Sequence, residues 1–379
     1  MVSLLTIGGG LTSLNGMSPL ITRLSDQPII HAGLNARMNQ PDFTNINGPS
    51  LVRMPDWATG RLGRYHLYFA HHKGHYIRLA YADDLAGPWA IYDPGVLDRR
   101  DSLFEPVNPT PDPSVPKPYW ADDLGEYLYA HIASPDVHID HATRTFHLYY
   151  HGLMRDGTQL TRHATSPDGI HFTPDAPLLG GPYFRMFRWG GAFYALDWEG
   201  IFYHAPDWAG PFTSLTWRVP DQLALNRRDP DGLLHRLRHP HVFVDDDQRL
   251  HLTFTRMGDA PEAIYHAEMI PIAPAGGTTF ASDPEWVGNP EWAGDPEQAG
   301  DATPVGDIPW AFGPAQLWLR PEAAWEGGAL PITPSVMGTA PELVCELRDP
   351  MLFREGGQLY LAYCGGGEQA IGLARVDGL

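Results

Sequence analysis

The chain has 379 residues, 26 Lys and Arg against 45 Asp and Glu, and a formal net charge of −19; it lacks the overall basic balance that a nucleic-acid or anionic-membrane partner requires. Two cysteines, Cys345 and Cys364, exclude a disulfide framework, though a single bridge between them is open. Forty glycines and 37 prolines point to many turns and long connections rather than long helices.

In chain order, residues 1 to about 45 form a lead-in with a weak strand at Pro28–His31, placed to complete the last repeat and close a ring. Met1–Gly10 has neither the basic opening nor the apolar core of a secretory signal, and no later stretch reaches transmembrane length. The expected location is therefore cytoplasmic.

Five times thereafter a small or polar residue and a proline open a short apolar run: Gly48-Pro49, Ser134-Pro135, Gly181-Pro182, His239-Pro240 and Asp349-Pro350. Proline suits the first position of a strand, where no ladder donor is needed. A turn and an aromatic-rich strand follow each start, as in Tyr65-His66-Leu67-Tyr68-Phe69 and Leu359-Tyr360-Leu361-Ala362-Tyr363. A third strand leads into a recurring turn, Asp83-Asp84-Leu85-Ala86-Gly87-Pro88-Trp89, echoed at Pro206–Phe212. Repeats of this kind cannot bury both faces alone, and they predict an all-β, five-bladed β-propeller filling residues 1–379 as one domain. The expected blades are roughly 47–89, 126–175, 181–220, 238–270 and 346–376.

Two connections stand out. Val107–Pro118 is too rich in proline for a helix. An insertion over 273–345 carries a hexapeptide three times, at Asp283, Asn289 and Asp295, with Trp286 and Trp292 in the first two copies. It reads as a run of surface turns, or alternatively as a lid or partner-binding arm.

In a propeller the innermost strands line one channel, so the five starts converge. They gather Asn47, Ser50, Asp136, Arg185, Arg238, His239, His241, Glu346, Arg348 and Asp349, more polar groups than packing alone accounts for. The starts and the repeated turn resemble the five-bladed propeller glycoside hydrolases, family 43 and relatives such as family 117, over roughly residues 45–376.

That resemblance implies three carboxylates on three inner strands: a base and an orienting group, each in Asp-Pro, and an acid in Glu-Gly-Pro. Asp349-Pro350 matches one Asp-Pro but sits on the last blade. Asn47-Gly48-Pro49 and Gly180-Gly181-Pro182 carry no carboxylate, and Asp136 follows its proline.

Glycoside cleavage needs a proton donor and a carboxylate that activates water or attacks carbon. Asp136 and Asp349 are the expected carboxylates; Glu346, or one of His239 and His241, is the expected acid. Asn47, Tyr183, Arg185, Arg238 and Arg348 are expected at the substrate, the arginines suggesting an anionic group such as a uronate or sulfate. Trp120, Trp189 and Trp198 are candidates for stacking on sugar rings. His71, His72 and His75 match no strong metal signature and read as a loop. No cofactor is required on this reading; the resemblance leaves room for a central divalent cation such as calcium.

The primary expectation is a glycosidase-like enzyme acting on a carbohydrate or anionic sugar. The alternatives are a lyase or other non-hydrolytic enzyme in which His239 and Tyr183 handle protons, and a non-catalytic glycan- or small-molecule-binding propeller. Oligomeric state is not legible.

Overall fold

The structure, a computed structural model, describes residues 19–40, 43–110, 112, 114, 128–271 and 310–379. The three hexapeptides, with Trp286 and Trp292, lie outside the described residues, as do Trp120 and much of the proline-rich connection.

The described chain is five antiparallel sheets, with one short α-helix, Asp221–Ala224, and a few single-turn 3-10 helices among the described residues. Blade one is Asn47–Arg53, Tyr65–Ala70, Tyr76–Ala82 and Ala90–Asp98. Blade two is Ile132–Asp140, Thr145–Leu153, Gln159–Ser166 and Thr173–Gly180. Blade three is Arg185–Trp189, Ala192–Leu196, Ile201–Ala205 and Thr213–Arg218.

Blade four is Leu234–Val244, Leu250–Met257 and Ile264–Pro271, and its edge is supplied by Trp310–Phe312 and Gln316–Leu319. The stretch read as an insertion over 273–345 thus ends as part of a blade, with Trp310 and Trp318 buried. Blade five is Leu347–Glu355, Gln358–Gly365 and Ala370–Asp377. The N-terminal strand Leu20–Arg23 pairs with Ala370–Asp377, and Ile30–His31 joins the same strand, so the lead-in completes the last sheet.

The second strands are nearly continuous apolar runs because both of their faces are covered. Leu67 and Phe69 pack between blades five and one, while Tyr68 and Ala70 face blade two. The period of two sends alternate side chains into two different wedges. Five apolar clusters result, one between each pair of neighbouring blades.

The repeated turns share a mechanism. The Asp84 carboxylate accepts from Ala86 N and the Asp207 carboxylate from Ala209 N, both at 2.9 Å, so a short acidic side chain folds its own backbone.

One irregularity places the site. In four blades the ladder between the first two strands slips where the X-Pro pair lies: after Asn47, Ala133, Arg238 and Arg348. The residue before proline takes a left-handed backbone: Gly48 (φ 61°), Ser134 (50°), His239 (50°) and Asp349 (51°). In blade three that conformation belongs to Tyr183 (φ 55°), and Phe184 stands where the others have proline. The proline pattern at Gly181-Pro182 is therefore two residues out of register.

Hydrogen bonds confirm the register. Two residues after each left-handed position, Ser50 Oγ accepts from Val137 N, Asp136 Oδ2 from Met186 N, His241 Nδ1 from Leu352 N and Met351 Sδ from Leu51 N. Each bond reaches the next blade. The fifth position, Arg185, has no acceptor and instead donates to Pro135 O at 2.6 Å.

Candidate functional site

A cavity of about 510 Å³ opens at this end of the inner strands. Its lining includes Ser134, Tyr183, His239 and Asp349 from the left-handed ring, and Asn47 beside Gly48. Non-glycine residues adopt this conformation at a cost, most of all a bulky one such as Tyr183. The bulge lifts these residues out of the ladder and aims them at the channel mouth.

Three of the lining groups hold polar atoms buried without a hydrogen bond of good geometry: Asn47 Oδ1, Tyr183 Oη and Asp349 Oδ2. The Tyr183 phenol and the Asp349 carboxyl lie beside one another as an interacting pair, and buried polar atoms are ordinarily satisfied, so this pair with the Asn47 oxygen marks a place for a ligand. Burial, and next the neighbouring Glu368, push Asp349 up to about 6, with Arg185 opposing. His239 Nε2 lies 3.6 Å from Asp349 Oδ1. Asp349 N donates to His239 Nδ1 at 3.4 Å, which puts the proton of the neutral ring on Nε2. Burial, then Arg238 and Arg348, hold that imidazole well below its ordinary value. The His239 ring also packs against Tyr183, with 4.9 Å between centroids.

Of the three arginines expected at the substrate, Arg238 lines the cavity whereas Arg185 and Arg348 do not, and all three hold protein partners. Arg348 donates to Glu346 Oε2 (2.8 Å) and to Glu368 Oε1 (2.9 Å), and lies 3.8 Å from Glu262. Arg238 donates to Glu262 (3.1 Å) and to the carbonyls of Val336 (3.1 Å) and Gly338 (2.7 Å). The two guanidiniums thus offset three buried carboxylates and pin the 336–338 loop, whose Met337 and Gly338 form one wall of the cavity. Arg185 stacks over the Tyr183 ring at 4.2 Å and faces Asp136 at 3.6 Å.

Asp136 and Glu346 do not line the cavity. Burial pushes Asp136 up, yet His138 at 2.8 Å and then Arg185 hold it at about 2, and with Met186 N it is a fully engaged inter-blade tie. Burial raises Glu346, with Arg348 opposing. His241 lies below the mouth as another inter-blade acceptor, held by burial at about 3.

Further cavity residues come from elements that the proline pattern does not mark. His131 precedes the first strand of blade two and His151 lies near the end of its second strand. The hairpin turn of blade three brings Asp197, Trp198 and Glu199. Burial raises Asp197 to about 6, opposed by the Ile201 N–H; its oxygens accept from Tyr203 Oη (2.8 Å) and from Glu199 N and Ile201 N. Trp198 is half-buried, with the Arg236 guanidinium 4.1 Å over its ring. Trp189 belongs to a core cluster. His72 lines the cavity and lies 3.4 Å from Glu368, whereas His71 is held by burial at about 3.

His239, Asp349 and Glu368 could each offer one ligand atom, all within 4.8 Å of one another. Their surroundings fit a divalent cation poorly. Glu368 already meets Arg348, His72 and Asn45 Nδ2 (2.5 Å), so a guanidinium would face any added ion.

No protein-family profile matches the chain. Uncharacterized protein R118 of Acanthamoeba polyphaga mimivirus is 29% identical over 369 residues, spanning 94% of this chain and 90% of that one. Among solved structures, a GH43_1 enzyme from Xanthomonas citri aligns at 14% identity with a TM-score of 0.48, covering 93% of this chain and 91% of its own. An enzyme from the GH130 family of mannoside phosphorylases, described with glycoside hydrolases that target β-1,2 mannosidic linkages in Candida mannan, aligns at 12% identity with a TM-score of 0.53, covering 95% and 94%. The chain is a five-bladed β-propeller and shares its fold with that GH130-family structure.

Proposed function

We propose that this protein is a glycosidase-like enzyme that holds a neutral sugar in the propeller mouth, with Asp349 moving the proton at the glycosidic oxygen. The observation that carries the reading is Asp349 itself. It is a buried carboxyl raised to about 6 on the cavity wall, beside the Tyr183 phenol. A group that titrates near the working pH both gives and takes a proton readily. His239 directs Nε2–H toward Oδ1 and stays neutral, so it orients the carboxyl rather than serving as the acid.

Tyr183 and Asn47 are the groups left to grip sugar hydroxyls beside it. The carboxylate best suited to working with water is Glu199, half-buried on the cavity wall 3.7 Å from Arg236. The fold is shared with an enzyme group that acts on mannosides, which favours a sugar as the ligand without fixing which one.

A uronate or sulfate fits this cavity less well, since Arg185, Arg238 and Arg348 already face protein carboxylates and carbonyls. The same fact weighs against the lyase alternative, which needs a cation for the acid group. Burial also holds the Tyr183 phenol well above its ordinary value, so it is a poor base at neutral pH.

The test is a panel of aryl glycosides and oligosaccharides with native protein and Asp349→Asn side by side. Sugar release by the native chain alone supports the reading. An unsaturated, ultraviolet-absorbing product would establish the lyase instead, and binding without turnover would leave a glycan-binding propeller.

A further inference from the structure

We infer that His131 and His151 form a hydroxyl-reading pair in the cavity wall, apart from the Asp349 group, that selects one hydroxyl of the bound sugar by offering it one donor and one acceptor. The inference rests on the sugar reading above and names how that sugar is recognised.

The two rings line the cavity and are 5 % and 8 % exposed. They meet edge to face, 5.4 Å between centroids at 80°. Their protonation is dictated by backbone partners of opposite kind. Tyr183 N–H can only donate, and it reaches His151 Nδ1 at 3.3 Å; the neutral ring therefore carries its proton on Nε2. Tyr129 O can only accept, and it lies 2.6 Å from His131 Nδ1; that nitrogen carries the proton and leaves Nε2 as the acceptor, with the side-chain amide of Gln159, another lining residue, as the neighbour that a sugar hydroxyl would replace there.

Both rings stay neutral, with burial lowering His131 to about 4 and, together with His131, holding His151 well below its ordinary value. No hydrogen bond joins them, in contrast to the His147–His163 pair at 2.9 Å.

A donor and an acceptor side by side complement a hydroxyl, which accepts and donates at once. A carboxylate or phosphate accepts only and would leave His131 Nε2 unmatched; an ammonium donates only and would leave His151 unmatched. The contact with Tyr183 N ties this reader to the residue whose hydroxyl flanks Asp349, so the hydroxyl read belongs to the sugar at the reacting end.

The experiment is a calorimetric cycle. The best saccharide from the panel and its set of monodeoxy analogues are titrated into Asp349→Asn protein, and then into the same protein carrying His131→Leu or His151→Leu. One monodeoxy analogue is expected to bind about tenfold more weakly than the parent, and that penalty is expected to vanish in both histidine variants. His131→Phe and His151→Phe, which keep a ring but offer no hydrogen bond, serve if the leucine variants do not fold, and the same coupling is expected. A parent saccharide that binds while every deoxy penalty is unchanged in the variants overturns the hydroxyl reader and leaves the sugar reading standing. Absence of binding by every saccharide overturns the sugar reading, and the inference with it.

Discussion

At the scale of single residues, Asp349 combines a chemical and a conformational demand, and two substitutions separate them. Asparagine keeps the shape and tolerates φ 51°. Asp349→Asn should therefore keep its melting temperature while turnover falls at least about 100-fold, the range ordinarily lost with a general acid or base. Asp349→Ala should lose the same turnover and also unfold more easily, because alanine has no side chain to support a left-handed backbone; paired melting curves and rates check both outcomes. The pH profile follows from the raised carboxyl. As the acid, Asp349 must be protonated, so the rate should fall as pH rises through about 6, and the asparagine variant should lack that limb in its residual activity.

At the scale of elements, closure of the ring rests on a short strand and one arginine. Arg23, at the end of Leu20–Arg23, meets Glu326 through Nε–Oε1 and Nη2–Oε2 contacts of 2.8 Å each. Glu326 is fully buried and also accepts from Tyr363 Oη at 2.8 Å. Arg23→Met leaves that carboxylate without its counter-charge and should cost about 3 kcal/mol, read as a lower urea midpoint; Glu326→Gln in the same background should restore part of it. Much of this element level was legible in the chain: four of the five proline-marked starts, aromatic second strands and a lead-in that completes the last sheet. The failures are equally physical. Proline marks a position without a ladder donor, but the chemistry at the mouth requires a left-handed residue, and in blade three Tyr183-Phe184 meets that need without a proline. His131, His151 and the 197–199 turn come from strand ends and hairpins, where no periodicity exists to be read. The arginines looked like anion binders because local sequence does not reveal Glu262 or Glu368, each brought in from a distant strand or turn.

At the scale of the whole molecule, acid should be the protein's weakness. Burial holds His66 and His131 near 4 and His241 and His266 near 3, with His151 and His239 also well below their ordinary value. The unfolded chain takes up protons below about 6.5 where the native one does not, so the stability these groups supply is present above that value. It is lost as pH falls, at roughly 1.4 kcal/mol per pH unit for each ring. Asp349 and Asp197, raised to about 6, act in the opposite sense between about 4 and 6, but two carboxyls do not offset six imidazoles. The urea midpoint should therefore drop steeply from pH 7.5 to 5; a flat profile would mean that these rings titrate normally. No described helix is long and apolar enough to cross a membrane.

The left-handed ring carries one more consequence, for how such a protein can change. Ser134, His239 and Asp349 stand where the ladder skips, so replacing their side chains breaks no strand pairing. At Gly48 an added Cβ would meet Ser134 Cα at 3.0 Å, which closes that position. The other four, Tyr183 among them, behave as sockets: the propeller holds the backbone, and a side chain that tolerates the left-handed conformation can be exchanged there without unpairing the blades. New chemistry can thus be written at the mouth one residue at a time while the sheets behind it stay the same.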